Sequence, residues 1–171
     1  MQNRRVTAAE SDYLFRIASL SLSFVGFSAV VVTLRGALGG KLSERHLRLV
    51  RLYIEGGLLV TALAVVPTLL NLLHVPDTVT WPLSSGAAAL IFTALLVIQF
   101  RRRSAIEGQF PPWVVIVYVV SVVAVASLWC NVAGFPASPN AGPYAVVLTL
   151  ALCLFGFIFV RTMELFLHRE V

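Results

Sequence analysis

Two stretches of this sequence, residues 17–34 and residues 56–73, contain no charged side chain, and each is 18 residues long. A helix needs about 20 apolar residues to cross the hydrocarbon core of a bilayer. The first stretch is followed directly by Arg35, and the second is preceded by Arg48, Arg51 and Glu55. Uncharged runs that end in basic residues are typical of membrane-spanning helices.

The whole chain is rich in apolar residues and poor in charged ones. Of its 171 residues 58% are hydrophobic and 12% are charged, whereas soluble proteins carry about 25% charged residues. We predict an all-α integral membrane protein, a bundle of five transmembrane helices in a single polytopic membrane domain covering residues 1–171. The expected spans are residues 13–35, 52–73, 81–100, 113–133 and 143–160.

Several local signals predict where these helices begin and bend. Thr7 and Glu10 have the spacing of a capping box, so a helix should start near residue 8. Ser43 is expected to cap the second helix, which contains Pro67, and Thr80 is expected to cap the third. The apolar run of the first segment exceeds that of a signal peptide, so we expect this segment to be retained.

The distribution of basic residues predicts an orientation. Ten of the thirteen Lys and Arg lie after the first span, after the third span or after the fifth. The positive-inside rule then places the N-terminus outside and the C-terminus in the cytoplasm. An alternative has four spans, with the first segment in the interface or the N-terminus inside, because Arg4 and Arg5 would otherwise be translocated.

The net charge of +5 is concentrated beside the apolar spans. We therefore expect a lipid bilayer with anionic headgroups as the partner of these basic residues, and no nucleic acid. The expected location is a bacterial plasma (inner) membrane, crossed several times. The further partner would be a second copy of the chain or another membrane protein.

No pattern in the sequence predicts catalysis. The glycines at 36, 39 and 40 lack the spacing and the following Ser or Thr of a phosphate-binding loop. His46, His74 and His168 are isolated from one another, and no Cys-x-x-Cys or His-x-x-x-His occurs. We expect no enzyme activity, no metal and no cofactor.

Two sets of polar residues are candidates for a functional role. The first lies at helical spacing along three spans and would form either the packing face between helices or a narrow polar pathway. Its members are Ser19, Ser23, Thr33, Thr61, Thr68, Asn71 and Thr149. The second would form an ion cluster at the cytoplasmic edge, unless these residues contact only headgroups. Its members are Arg35, Arg51, Glu55, Arg161 and Glu164.

These observations favour a small membrane protein without catalytic chemistry. It would act through helix packing, as an oligomer or as a component of a membrane complex, and could form a small pore. The alternative is a carrier or receptor for a small molecule, with a pocket between the helices near Thr61, Thr68 and Asn71.

Overall fold

The computed structural model describes residues 7–37, 44–104, 112–136 and 138–167, and these form five α-helices. The bounds of α1 to α5, in chain order, are Ala8–Ala37, Glu44–Leu72, Asp77–Ser104, Pro112–Ala133 and Ala141–Leu167. All five are long and apolar enough to cross a membrane, which confirms the predicted all-helical class. The chain therefore has the helices expected of a multi-pass membrane protein.

The outer surface of the bundle is apolar, as a lipid-facing surface should be. On α4, for example, Ile116, Val119 and Val123 are all more than half exposed. A surface of this kind is stable in hydrocarbon and would be an aggregation site in water. Because an α-helix satisfies most of its backbone hydrogen bonds internally, such a bundle can be exposed to lipid.

The start of α1 matches the sequence pattern, and the start of α3 does not. The Thr7 amide donates to a Glu10 carboxylate oxygen (2.7 Å) and the Glu10 amide donates to the Thr7 hydroxyl (3.3 Å). In contrast, α3 begins at Asp77 instead of after Thr80. The Thr80 hydroxyl donates back to the carbonyl of Pro76 (3.2 Å), so the residue lies within the first turn of the helix. Ser43 lies outside the described residues.

Two turns at the same end of the bundle close α2 and α4. In each, a residue with positive φ follows the helix, and the next amide bonds to a carbonyl five residues earlier. Gly134 (φ 69°) performs this role after α4. His74 (φ 60°) performs it after α2, with a left-handed conformation that a non-glycine residue adopts less readily.

Sequential helices run antiparallel, and α5 contacts each of the other four. The most extensive contacts are between α1 and α2 and between α3 and α4. We call the end of the bundle that carries Arg51, Arg101 and Arg161 the basic end. The opposite end, with the turns at residues 73–76 and 134–140, is the hairpin end.

A glycine in α2 sets the distance between α1 and α2. A Cβ atom added to Gly57 would collide with the Cγ2 atom of Val25 in α1. The carbonyl of the same glycine accepts a hydrogen bond from the buried Ser21 hydroxyl (2.8 Å). Small residues allow this approach, and packing with interhelical hydrogen bonds is what holds helices together in lipid.

The proline inside α2 is compensated by a side chain from α5. Pro67 has no amide hydrogen, so it cannot donate to the carbonyl of Leu63 one turn earlier. That carbonyl accepts a hydrogen bond from the hydroxyl of Tyr144, at 2.6 Å. Tyr144 is fully buried and its ring packs against Trp81. The proline and the tyrosine together complete the hydrogen bonding of the helix.

We predict that Tyr144→Phe lowers stability in mild detergent by about 1–2 kcal/mol, because the Leu63 carbonyl then lacks a donor. In a Pro67→Ala background the loss should be smaller, since an alanine at this position restores the backbone hydrogen bond of the helix. Thermal unfolding of the two single variants and the double variant measures this coupling.

Tyr13→Phe is the matched control, since the Tyr13 hydroxyl bonds to the Thr149 hydroxyl (2.9 Å) and not to the carbonyl that Pro67 leaves without a helical donor. Its effect should be the same with or without Pro67. Additive effects of Tyr144→Phe and Pro67→Ala would show that Tyr144 does not compensate for Pro67.

Candidate functional site

A cavity of 530 Å³ lies between α2, α3, α4 and α5, in the half of the bundle nearer the basic end. Its lining along α4 runs from Trp113 to Val125, which corresponds to a depth of roughly 18 Å at the helical rise. The walls are mainly apolar, with Ile91, Leu95 and Val147 among them. Its position at the meeting of four helices is typical of binding sites in helical bundles.

A few polar side chains interrupt the apolar wall. Glu55, Gln99, Tyr118 and Ser121 each line the cavity. The Ser121 hydroxyl donates to the carbonyl of Val117 in its own helix (2.7 Å), so it is already satisfied. Glu55 and Gln99 occupy the part of the cavity nearest the basic end, where the polar groups would meet the membrane interface.

Aromatic rings form much of the remaining wall. Phe92, Trp113, Tyr118 and Phe155 line the cavity from three helices. The Trp113 ring packs edge-on against Phe157, with centroids 6.5 Å apart. This contact fixes the Trp113 ring in the cavity wall, close to the polar side chains Glu55 and Gln99.

Gly56, the neighbour of Gly57 in α2, makes room for the ring of Phe155 from α5. A Cβ atom at Gly56 would lie 2.5 Å from this ring. Because the ring fits against bare backbone, it lies along the wall of the cavity. A larger residue at position 56 would displace the ring.

The predicted ion cluster is described only in part. Arg51 and Glu55 form an ion pair within α2, and their side chains are 80% and 59% exposed. An exposed pair one helical turn apart contributes little to stability. Arg161 lies on the exposed surface of α5. The side chains of Arg35 and Glu164 lie outside the described part of the chain.

The predicted polar face of α1 is not buried against the other described helices. Ser19, Ser23 and Thr33 point away from the other helices and are exposed. The hydroxyls of Ser23 and Thr33 donate to carbonyls of their own helix, at 2.9 Å each, so they need no neighbour. The face that α1 buries carries instead Leu14, Ile17, Ala18, Ser21, Val25 and Ser28.

The members of the same set in α2 and α5 lie closer to other helices. Thr61 donates to the carbonyl of Gly57 (3.0 Å) and lies 3.5 Å from that of Ala18 in α1. Thr149 bonds to Tyr13 of α1. Thr68 and Asn71 are half-buried near the hairpin end. None of these residues lines the cavity, which lies toward the opposite end.

A polar network at the hairpin end was not predicted from the sequence. The amide of Asn131 donates to the Ser85 hydroxyl (2.8 Å) and to the Asn140 carbonyl (3.0 Å). The backbone amide of Asn140 donates in return to Asn131 (3.1 Å). This network joins α3, α4 and the start of α5. An asparagine inside an apolar segment was the signal that could have indicated it.

The described residues contain no group of three or more His, Cys, Asp or Glu side chains that could hold a metal ion. Comparison with protein-family models, with curated proteins and with solved structures finds no match to this chain.

Proposed function

We propose that this protein is a receptor or carrier for an apolar small molecule, which it binds between α2, α3, α4 and α5. The observation that carries the proposal is the cavity of 530 Å³, a volume within the roughly 300–1,000 Å³ of ligand pockets. A few polar groups in a mainly apolar wall are the usual composition of such a site.

The physical environment favours an apolar occupant. The wall offers few partners to water, which needs several polar neighbours in order to be held in a buried site. An apolar molecule would instead restore the dispersion contacts that the wall lacks. This pocket is distinct from the region near Thr61, Thr68 and Asn71 where the sequence suggested one.

A substitution that fills the cavity tests the proposal. We expect Ser121→Phe to abolish saturable labelling of cavity residues by a neutral apolar diazirine probe. Ser121 is suitable because its hydroxyl bonds only within α4 among the interactions described, so the helices keep their mutual hydrogen bonds. Photolabelling in nanodiscs, followed by peptide mass spectrometry, gives the measurement.

Ser23→Phe is the matched control, since the Ser23 hydroxyl also bonds within its own helix but faces outward. It should leave labelling of the cavity unchanged. Labelling that is unsaturable, or unaffected by Ser121→Phe, would show only lipid-facing contact and would refute the binding site.

A second candidate is a non-enzymatic membrane component that acts through helix packing with another copy or a partner. The observation favouring it is the exposed small-residue face of α1, on which a Cβ at Gly26 would meet nothing within 4 Å.

If copies associate through this face, the mass in mild detergent should be that of an oligomer, and Gly26→Leu should reduce it to a monomer. An oligomer unchanged by Gly26→Leu would exclude this face.

For the orientation, we propose that the basic end faces the cytoplasm of a bacterial plasma membrane, with the N-terminus outside. The clustered arginines support this orientation.

An impermeant thiol reagent should label Cys130, which is exposed near the hairpin end, from outside intact cells. Cys153 is exposed at mid-helix, where lipid should shield it. Labelling of Cys130 only after the membrane is opened would reverse the orientation.

A further inference from the structure

The cavity lies near the basic end of the bundle, yet the charged side chain in its lining is acidic. Glu55 is the one charged side chain among the described residues that line it. Arg51, Arg101 and Arg161 are the arginines of this end whose side chains the structure describes, and none of them belongs to that lining; Arg51 reaches it only through its ion pair with Glu55. Among the described side chains, a ligand inside the cavity would therefore meet a carboxylate as the nearest formal charge.

The aromatic rings lie at the same depth as this carboxylate. Phe155 packs against Gly56, the residue next to Glu55. Trp113 packs against Phe157 of the same α5 segment. Because neighbouring helices are antiparallel, Glu55, Phe155 and Trp113 belong to one layer of the bundle. Aromatic faces attract cations, and Trp does so most strongly.

We propose that the occupant of the cavity is a lipophilic cation, such as a quaternary ammonium or phosphonium compound with apolar substituents. Its charge would lie near Glu55 and the rings of Trp113 and Phe155. Its apolar groups would lie deeper, against Leu95 and Val147. This inference rests on the proposed function, since it names the class of molecule that the same cavity binds.

Binding of the cation would replace Arg51 as the partner of the Glu55 carboxylate. Arg51 forms an ion pair with this carboxylate, and the Arg51 side chain is 80% exposed. An ion pair so accessible to water is weak and easily displaced. Arg101 and Arg161 are also exposed at this end, where salt screens charges beyond about 8 Å. Their repulsion would act on a cation outside the cavity more than on one beside Glu55.

Two ions of the same size and shape but opposite charge give the test. Tetraphenylphosphonium and tetraphenylborate should be titrated against the protein in zwitterionic nanodiscs, with empty nanodiscs as the blank. We expect saturable binding of the phosphonium and none of the borate. Glu55→Gln should weaken phosphonium binding by about tenfold or more, because the ion loses its counter-charge.

Asp12→Asn is the matched control, since Asp12 and Arg16 form an exposed pair of the same spacing at the other end of the bundle. It makes the same change in net charge and should leave binding intact. Arg51→Gln should strengthen phosphonium binding several-fold, because it removes the competing partner. A residue with only a structural role would not give opposite effects for Glu55→Gln and Arg51→Gln.

The outcomes separate this inference from the proposed function. Equal binding of both ions, or binding unchanged by Glu55→Gln, would overturn the cation inference. If Ser121→Phe still abolished labelling by the neutral probe, the binding site itself would stand. Thermal unfolding of Glu55→Gln should match that of the unchanged protein, which excludes misfolding as the cause of lost binding.

Discussion

The packing on two adjacent glycines of α2 is the contact on which the rest of the bundle depends. In lipid the hydrophobic effect does not drive helices together, so close van der Waals contact must do so. Gly57 admits Val25 of α1, and Gly56 admits the ring of Phe155 of α5. Since α5 also contacts α3 and α4, the position of α2 against α5 affects every helix.

The fold class could be predicted because it depends on composition and on runs of uncharged residues. The capping box of Thr7 and Glu10 could also be predicted, because both residues lie within one helical turn. The predicted start of α3 was wrong because a threonine such as Thr80 can either cap a helix or lie in its first turn, and the sequence alone does not distinguish the two. Local patterns therefore succeeded where the deciding interaction was itself local.

The candidate site could not be predicted in the same way. The cavity arises from how far α2, α3, α4 and α5 lie apart in one half of the bundle, and no spacing in the sequence records that distance. The surroundings of the polar face of α1 could not be predicted for a related reason. Hydroxyls at helical spacing look alike whether they bond to a neighbour, as Ser21 does, or to their own helix, as Ser23 does.

The bond between Tyr144 and Leu63 has a consequence for how the bundle is assembled. Translation proceeds from the N-terminus, so α2 is made before α5 exists. During that interval the Leu63 carbonyl has neither the amide that Pro67 lacks nor the hydroxyl of Tyr144. The hydrogen bonding of α2 is therefore completed only when α5 packs against it. The unsatisfied Leu63 carbonyl favours the docking of α5 beside α2 over any arrangement that leaves this carbonyl without a donor.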